Sequence, residues 1–435
     1  MGVEINIHTV DLAQALLVKQ TPRRYGPIVA LLRNGYRHQA MIVAEGEDWR
    51  ATHDALMPFF TAASVRRAYA ALITDTADEA FATIARQALE DGAAVEGALL
   101  DIEASVRALV ARVMGHVVFG RLLSVEEADA LQALLDATTQ PLRPGIGARV
   151  NLQIERAYRW AGRSGRQPIV IPSGQGRSAR ALLAWIGDRI EAAGGGGAPT
   201  PLLDALGERF AHLRGRRRLR AMTGECAMLF SAGVDTTSSA LACALAELAA
   251  APSALASATA EALGEGDVAD ARHGPTRQFP ALNAVMQETL RRHTVVPTLL
   301  RETAASIGLP TEGGDGCPMH VPAGSTLRFL TLPGHMRGRI WGDARGFDPD
   351  RFRRSLTAEQ RKNFSPFGLG PQSCMGRAMA EIESVLILRS FLRALEPVPA
   401  ESRPAIRMVR NAMFTSRPVG LTIRVRPRKP ELGLT

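Results

Sequence analysis

"FGLGPQSCMGRAMAEIE" (residues 367–383) holds one of the four cysteines in a chain of 435 residues. Gly370 and Pro371 predict a turn, and the amphipathic run from about Met375 to Leu395 predicts a helix. Cys374 therefore lies between two glycines, Gly370 and Gly376, where a helix begins. Free N–H groups and the helix dipole at such a place stabilise a thiolate. The other reading of this stretch alone is a small buried hydrophobe, the usual role of a free cysteine. Cys226, Cys243 and Cys317 form no C-x-x-C pair with Cys374 or with one another, so neither a zinc cluster nor a disulfide framework is indicated.

Composition narrows the remaining classes. Apolar residues make up 46% of the chain, enough for a large core and too many for disorder. No run of about 18 apolar residues occurs, and no charged segment near the start leads into an apolar one. The expectation is a soluble cytoplasmic protein in a reducing compartment, with no membrane anchor. The formal charge is +9, and lysine stands only at positions 19, 362 and 429, so the cations are nearly all arginines. Only "RGRRRLR" (214–220) is dense, without interleaved aromatics or a zinc-finger spacing, which argues against nucleic acid. Solvated helix faces and a basic patch for an acidic partner protein fit the charge better.

Helical periodicity predicts helices over residues 10–19, roughly 49–116, several within 120–190, then 202–213, 216–250, 252–264 and 279–293. "GGGGAPTP" (194–201) predicts a flexible joint between helices. Strand signals gather at "VEINIH" (3–8), "HVPAGSTLRFL" (320–330) and "RPVGLTIRVRP" (417–427). The predicted fold is mainly α with small β-sheets (α+β), a single domain over 1–435. Its helix-rich core covers about 49–293 and its β-containing part about 294–435.

Three further stretches carry chemistry. "LFSAGVDTTSSALA" (229–242) places Asp235, Thr236 and Gly233 inside an otherwise apolar helix. A buried carboxylate must be paired, and glycine and threonine weaken a helix. One reading is a polar outer face of the helix; the favoured one is a kinked or widened helix that presents Asp235 and Thr236 to a pocket as an acid–alcohol pair able to deliver protons. In "ETLRR" (288–292), Glu288 and Arg291 share a helix face and can pair. "WGDARGFDPDRF" (341–352) is an irregular segment whose Arg351 could join that pair.

The order "AGVDTT", "ETLR", "FDPDRF", "FGLGPQSCMG" resembles that of the heme-thiolate monooxygenases called cytochromes P-450, from about residue 4 to the C-terminus. The resemblance implies a two-lobed fold binding heme b (iron protoporphyrin IX), with Cys374 as axial thiolate that pushes electron density toward O–O cleavage. It implies that Phe367 packs near the sulfur and that Gly370 and Gly376 let the backbone approach the porphyrin. Asp235 and Thr236 would be the dioxygen-activating pair, and Glu288, Arg291 and Arg351 the structural triad. Trp49, His53 and Arg301 would bind the propionates.

Two departures stand out. Gln372 occupies the place two before the cysteine where the family usually has Arg or His, and Trp49 comes early, as if the N-terminus were shortened. The implied function is that of a soluble bacterial-type monooxygenase, of the kind found in secondary metabolism. It would hydroxylate a lipophilic small molecule with dioxygen. Electrons from NAD(P)H would come through a ferredoxin or flavodoxin with its reductase. A peroxide-driven peroxygenase, a coupling or rearranging catalyst, and a heme-binding sensor are the alternatives. The implied pocket draws on residues 20–48, the helices of about 130–190, 228–233, 295–300 and 411–415.

Overall fold

The computed structural model describes residues 3–20, 23–24, 40–92, 96–139, 175–193, 200–264, 274–309, 319–399, 406–410 and 415–428. The longer helices are α1 (Gly46–Phe60), α2 (Ala62–Glu90), α3 (Ile102–Phe119), α4 (Val125–Thr139) and α5 (Gln175–Ala193). They continue with α6 (Pro201–Arg209), α7 (Arg216–Ala249), α8 (Pro252–Leu263), α9 (Pro280–Arg292) and α10 (Arg377–Ala394). Their ends follow local rules. Thr61 caps α2 by accepting from the Ser64 N–H at 3.2 Å, and Asp101 caps α3 through the Ala104 N–H at 3.0 Å. Pro201, Pro252 and Pro280 open α6, α8 and α9, where a missing N–H costs nothing.

The helical region predicted over roughly 49–116 comprises two helices and most of a third, with strand β3 (Ala98–Asp101), which was not predicted, before α3. The N-terminal helix is short (Val10–Gln14) and continues as a π-helical stretch, Ala15–Gln20. "GGGGAPTP" lies mostly outside the described residues, and Cys317 and 140–174 lie wholly outside them.

The sheets are small. β1 (Glu4–Ile7), β2 (Arg23–Arg24), β4 (Thr298–Glu302) and β7 (Thr326–Leu330) form one in the order β1-β7-β4-β2, with only β1 and β7 parallel. β5 (Ile307–Leu309) and β6 (Met319–Val321) make a hairpin. β3 joins β11 (Thr422–Pro427) and β8 (Leu395–Pro397), and β9 (Met408–Arg410) pairs with β10 (Ser416–Pro418).

Burial explains the layout. The main core runs through α2, α3, α7, α9 and α10, with Phe81 of α2 edge-on to Phe391 of α10 at 5.2 Å. A smaller core of Ile7, Leu16, Leu327 and Phe329 sits under the N-terminal sheet. Helix α7 is the one described helix long and apolar enough to cross a membrane, and 83% of its apolar window is buried inside the fold. Its apolarity is that of a core helix.

Candidate heme-thiolate site

Cys374 lies in the last turn before α10. Its N–H donates to the Phe367 carbonyl at 2.9 Å, the Ser373 N–H to Gly370 at 3.0 Å and the Gly368 N–H to Ser365 at 3.1 Å. This folding-back requires Gly368 and Gly370 at φ +80° and +78°, where a side chain would be strained. Cys226 and Cys243 are buried, whereas Cys374 is exposed. The surrounding protein mass pushes its thiol pKa up, and the Gly376 N–H and the nearby Arg377 pull it back. The helix N-terminus alone therefore does not make a thiolate here. A coordinating metal deprotonates a thiol outright. The Phe367 ring lies beside the loop, with the Arg377 guanidinium 5.5 Å over it.

The predicted triad is assembled. Glu288 and Arg291 are fully buried and bond bidentately, both at 2.7 Å. Arg351 Nε stands 3.5 Å from Glu288, and its terminal nitrogens donate to the Trp341 and Asp343 carbonyls. Arg291 also donates to the carbonyls of His335 (2.8 Å), Ala344 (2.9 Å) and Gly346 (3.3 Å). One ion pair thus pins the irregular chain that leads into the Cys374 loop.

Beyond its exposed arginine-rich first turns, helix α7 is buried except for a strip in its middle: Ala232 is exposed, and Gly233 and Thr236 are half-exposed. Thr236 Oγ1 donates to the Ala232 carbonyl at 2.7 Å. The helix stays α-helical throughout, with no wider turn at Gly233. Asp235 departs further from expectation. It is 3% exposed and bonds Arg107 at 2.8 Å, so its carboxylate is turned into the core and not presented beside Thr236. Burial pushes its pKa up, and Arg107 opposes that rise. Arg107 also grips Asp136 (2.7 and 3.0 Å), which accepts from Arg417 at 2.6 Å.

Arg301 on β4 is buried, and burial lowers its pKa to about 10, with Glu45 pulling the other way. Among the described residues no carboxylate comes within ion-pair distance of it. Nη1 donates to the Leu300 carbonyl at 3.0 Å and Nη2 to Gln372 Oε1 at 3.5 Å. Glu45 precedes α1, which carries Trp49 and His53 with their rings stacked at 4.9 Å. The strand, the Cys374 loop and the start of α1 therefore meet around one buried cation. Here Gln372 acts as a partner of Arg301 rather than as a second cation.

Heme fits this donor set. Among the described residues no group of three or more His, Cys, Asp or Glu side chains could hold a metal ion. A single exposed cysteine would supply the axial sulfur, and the buried Arg301 suits a propionate.

Sequence reasoning missed Arg107, Asp136, Arg417 and His335. Arg107 was open to detection as one of two arginines in the apolar run of α3. The pocket segments 25–39, 140–174 and 411–414 lie outside the described residues.

A family model described as cytochrome P450 matches residues 3–142 and 215–425. The rat mitochondrial 25-hydroxyvitamin D-1 alpha hydroxylase is 26% identical over 405 residues, 88% of this chain and 77% of that protein. The benzoate 4-monooxygenase of Aspergillus niger is 31% identical over 38% of this chain, and the geraniol 8-hydroxylase of Catharanthus roseus 32% over 39%. The aligned part spans only 31% and 34% of those two proteins. A cytochrome P450 crystal structure superposes with a TM-score of 0.69 at 21% identity, covering 98% of this chain and 89% of that one, which shows the fold. These named relatives are fungal, plant and mammalian mitochondrial, so they lend no support to a bacterial type.

Proposed function

Since the chain belongs to the cytochrome P450 family of monooxygenases, we propose that it hydroxylates a lipophilic small molecule, using dioxygen and electrons from a separate redox partner. The observation that carries this reading is the exposed Cys374, stitched into a glycine-bracketed loop and braced by the buried Glu288–Arg291 pair. Heme, when bound, supplies the iron that accepts electrons and activates dioxygen.

The chain's own residues do the rest. Cys374 would give its sulfur to the iron, and the surrounding loop bonds hold that sulfur in place. Arg301 would neutralise a propionate, with the Trp49–His53 stack on α1 close to the same corner. Thr236 holds a proton at Oγ1 on the open strip of α7, where it can pass to a reacting oxygen. Asp235 sits one residue away inside an ion pair, and so would act through the charge of that network or through water rather than by direct contact. A hydroxyl at this place favours dioxygen over peroxide as oxidant.

The apolar stretch "TVVPTLL" (294–300) runs into β4 and supports a lipophilic substrate. A ferredoxin or flavodoxin with an NAD(P)H-dependent reductase, and residence in the cytoplasm, belong to the same proposal. Reduced protein with carbon monoxide should show the strongly red-shifted band of thiolate-ligated heme, and Cys374→Ala should abolish it. A band that persists in that variant, or that is absent from the wild type, refutes the reading.

A further inference from the structure

His335 is fully buried, and the functional reading above gives it no role. Its ring touches two elements that the site needs. Nε2 accepts from the Ser365 backbone N–H at 3.1 Å, and Nδ1 lies 2.9 Å from Thr294 Oγ1. A backbone N–H can only donate, so Nε2 carries no proton. Burial and the adjacent Arg291 lower the His335 pKa to about 3, so the ring is neutral and its single proton sits on Nδ1. That proton is donated to Thr294, whose hydroxyl in turn lies 3.3 Å from the Leu290 carbonyl in the last turn of α9. The main-chain carbonyl of His335 is meanwhile held by Arg291 at 2.8 Å. One residue therefore reads the Glu288–Arg291 helix with both its backbone and its ring.

Ser365 is where the loop of the thiolate ligand starts. Its carbonyl accepts the Gly368 N–H that closes the first turn, and the Phe367 carbonyl accepts the Cys374 N–H. We propose that His335 is a positioning residue for the heme ligand: as a fixed-tautomer acceptor at Nε2 it anchors the first residue of the Cys374 loop to α9 and so holds the sulfur in register for iron. This inference rests on the heme-thiolate reading.

Two substitutions separate an anchoring acceptor from simple packing. In His335→Gln the amide oxygen can reach the place of Nε2 and still accept from Ser365. In His335→Asn the shorter amide can still donate to Thr294 but does not reach Ser365. Both lose the same contact with the Phe364 ring, now 5.5 Å away. The readouts are the fraction of the reduced carbonyl complex that lacks the red-shifted thiolate band, and deuterium exchange at the Ser365 amide.

The expected result is a thiolate-free fraction at least threefold larger in His335→Asn than in His335→Gln, with faster exchange at Ser365 only in the former. Equal behaviour of the two variants, whether both keep the band or both lose it, overturns the proposal. Should His335→Asn not fold, Thr294→Val supplies the test, since it releases the Nδ1 proton and lets the ring turn. It should raise both readouts, and no change in either refutes the anchor. A wild type without the thiolate band would instead refute the functional reading itself.

Discussion

Arg291→Lys keeps the charge of the buried pair and removes its geometry. Arg291 uses all five guanidinium N–H donors: two on Glu288, and three on the carbonyls of His335, Ala344 and Gly346. A lysine offers three donors from one nitrogen and cannot span acceptors on opposite sides of the fork. At least two acceptors then lose their partner. Both side chains of the pair have no exposed surface, so no water replaces the missing bonds. Each buried acceptor left unmade costs about 1–3 kcal/mol, which gives about 2–6 kcal/mol for the substitution. A domain is stable by only about 5–15 kcal/mol, so the loss is a large share of the total.

Urea denaturation of wild type and variant, compared at unchanged slope, measures this difference. Heme content of the purified protein gives a second reading. Two of the abandoned carbonyls, those of His335 and Ala344, lie in the chain leading to the Cys374 loop, so heme content should fall as well. A stability loss under about 1 kcal/mol would refute the reasoning, because it would mean that the five-donor network is not formed or that its acceptors find other partners.

Thr236→Ala should keep heme content and reductant consumption while product formed per electron falls about tenfold or more and peroxide appears in its place; unchanged coupling measured by peroxide and product assays would leave Thr236 a structural residue. Glu383 on α10 is buried, and burial raises its pKa from 4.5 to about 8. The folded chain then holds a proton that the unfolded chain releases, so the Glu383 contribution to stability falls as pH rises between those two values, by ~1.4 kcal/mol per pH unit, and levels off above the upper one. Urea midpoints across that range should show a shallower pH dependence for Glu383→Gln than for wild type, and parallel profiles would refute the assignment.

What was legible in the sequence was local. Glu288 and Arg291 lie three apart on one helix, so their pairing needs only the period of α9. Gly368 and Gly370 before Cys374 likewise announce a backbone that no other residue adopts easily, whereas Gly376 has an ordinary negative φ. The contacts that escaped are those between distant stretches. Asp235 meets Arg107 across 128 positions, and no helical period reveals which face of α7 another helix will supply with a cation. The sequence therefore suggests Asp235 beside Thr236 in a pocket, whereas its carboxylate turns into the core. His335 reaches Thr294 across 41 positions and Ser365 across 30. β3 escaped for a similar reason: its four residues become a strand only because β11 lies against them.

The network that ends in Asp136 has a bearing on redesign of this enzyme. Arg107 and Arg417 share that carboxylate, which ties strand β10 to the buried Asp235. Arg417 lies just beyond the stretch 411–415 assigned above to substrate recognition, and so falls within the range that a substrate-specificity library would randomise. Replacing it would leave Asp136 with Arg107 alone and alter the charge balance felt by Asp235. If Thr236 delivers protons as proposed, selection for a new substrate at this edge would also select, unasked, for altered oxygen economy. Libraries that hold Arg417 fixed, or vary it together with Asp136, would keep the two traits separate.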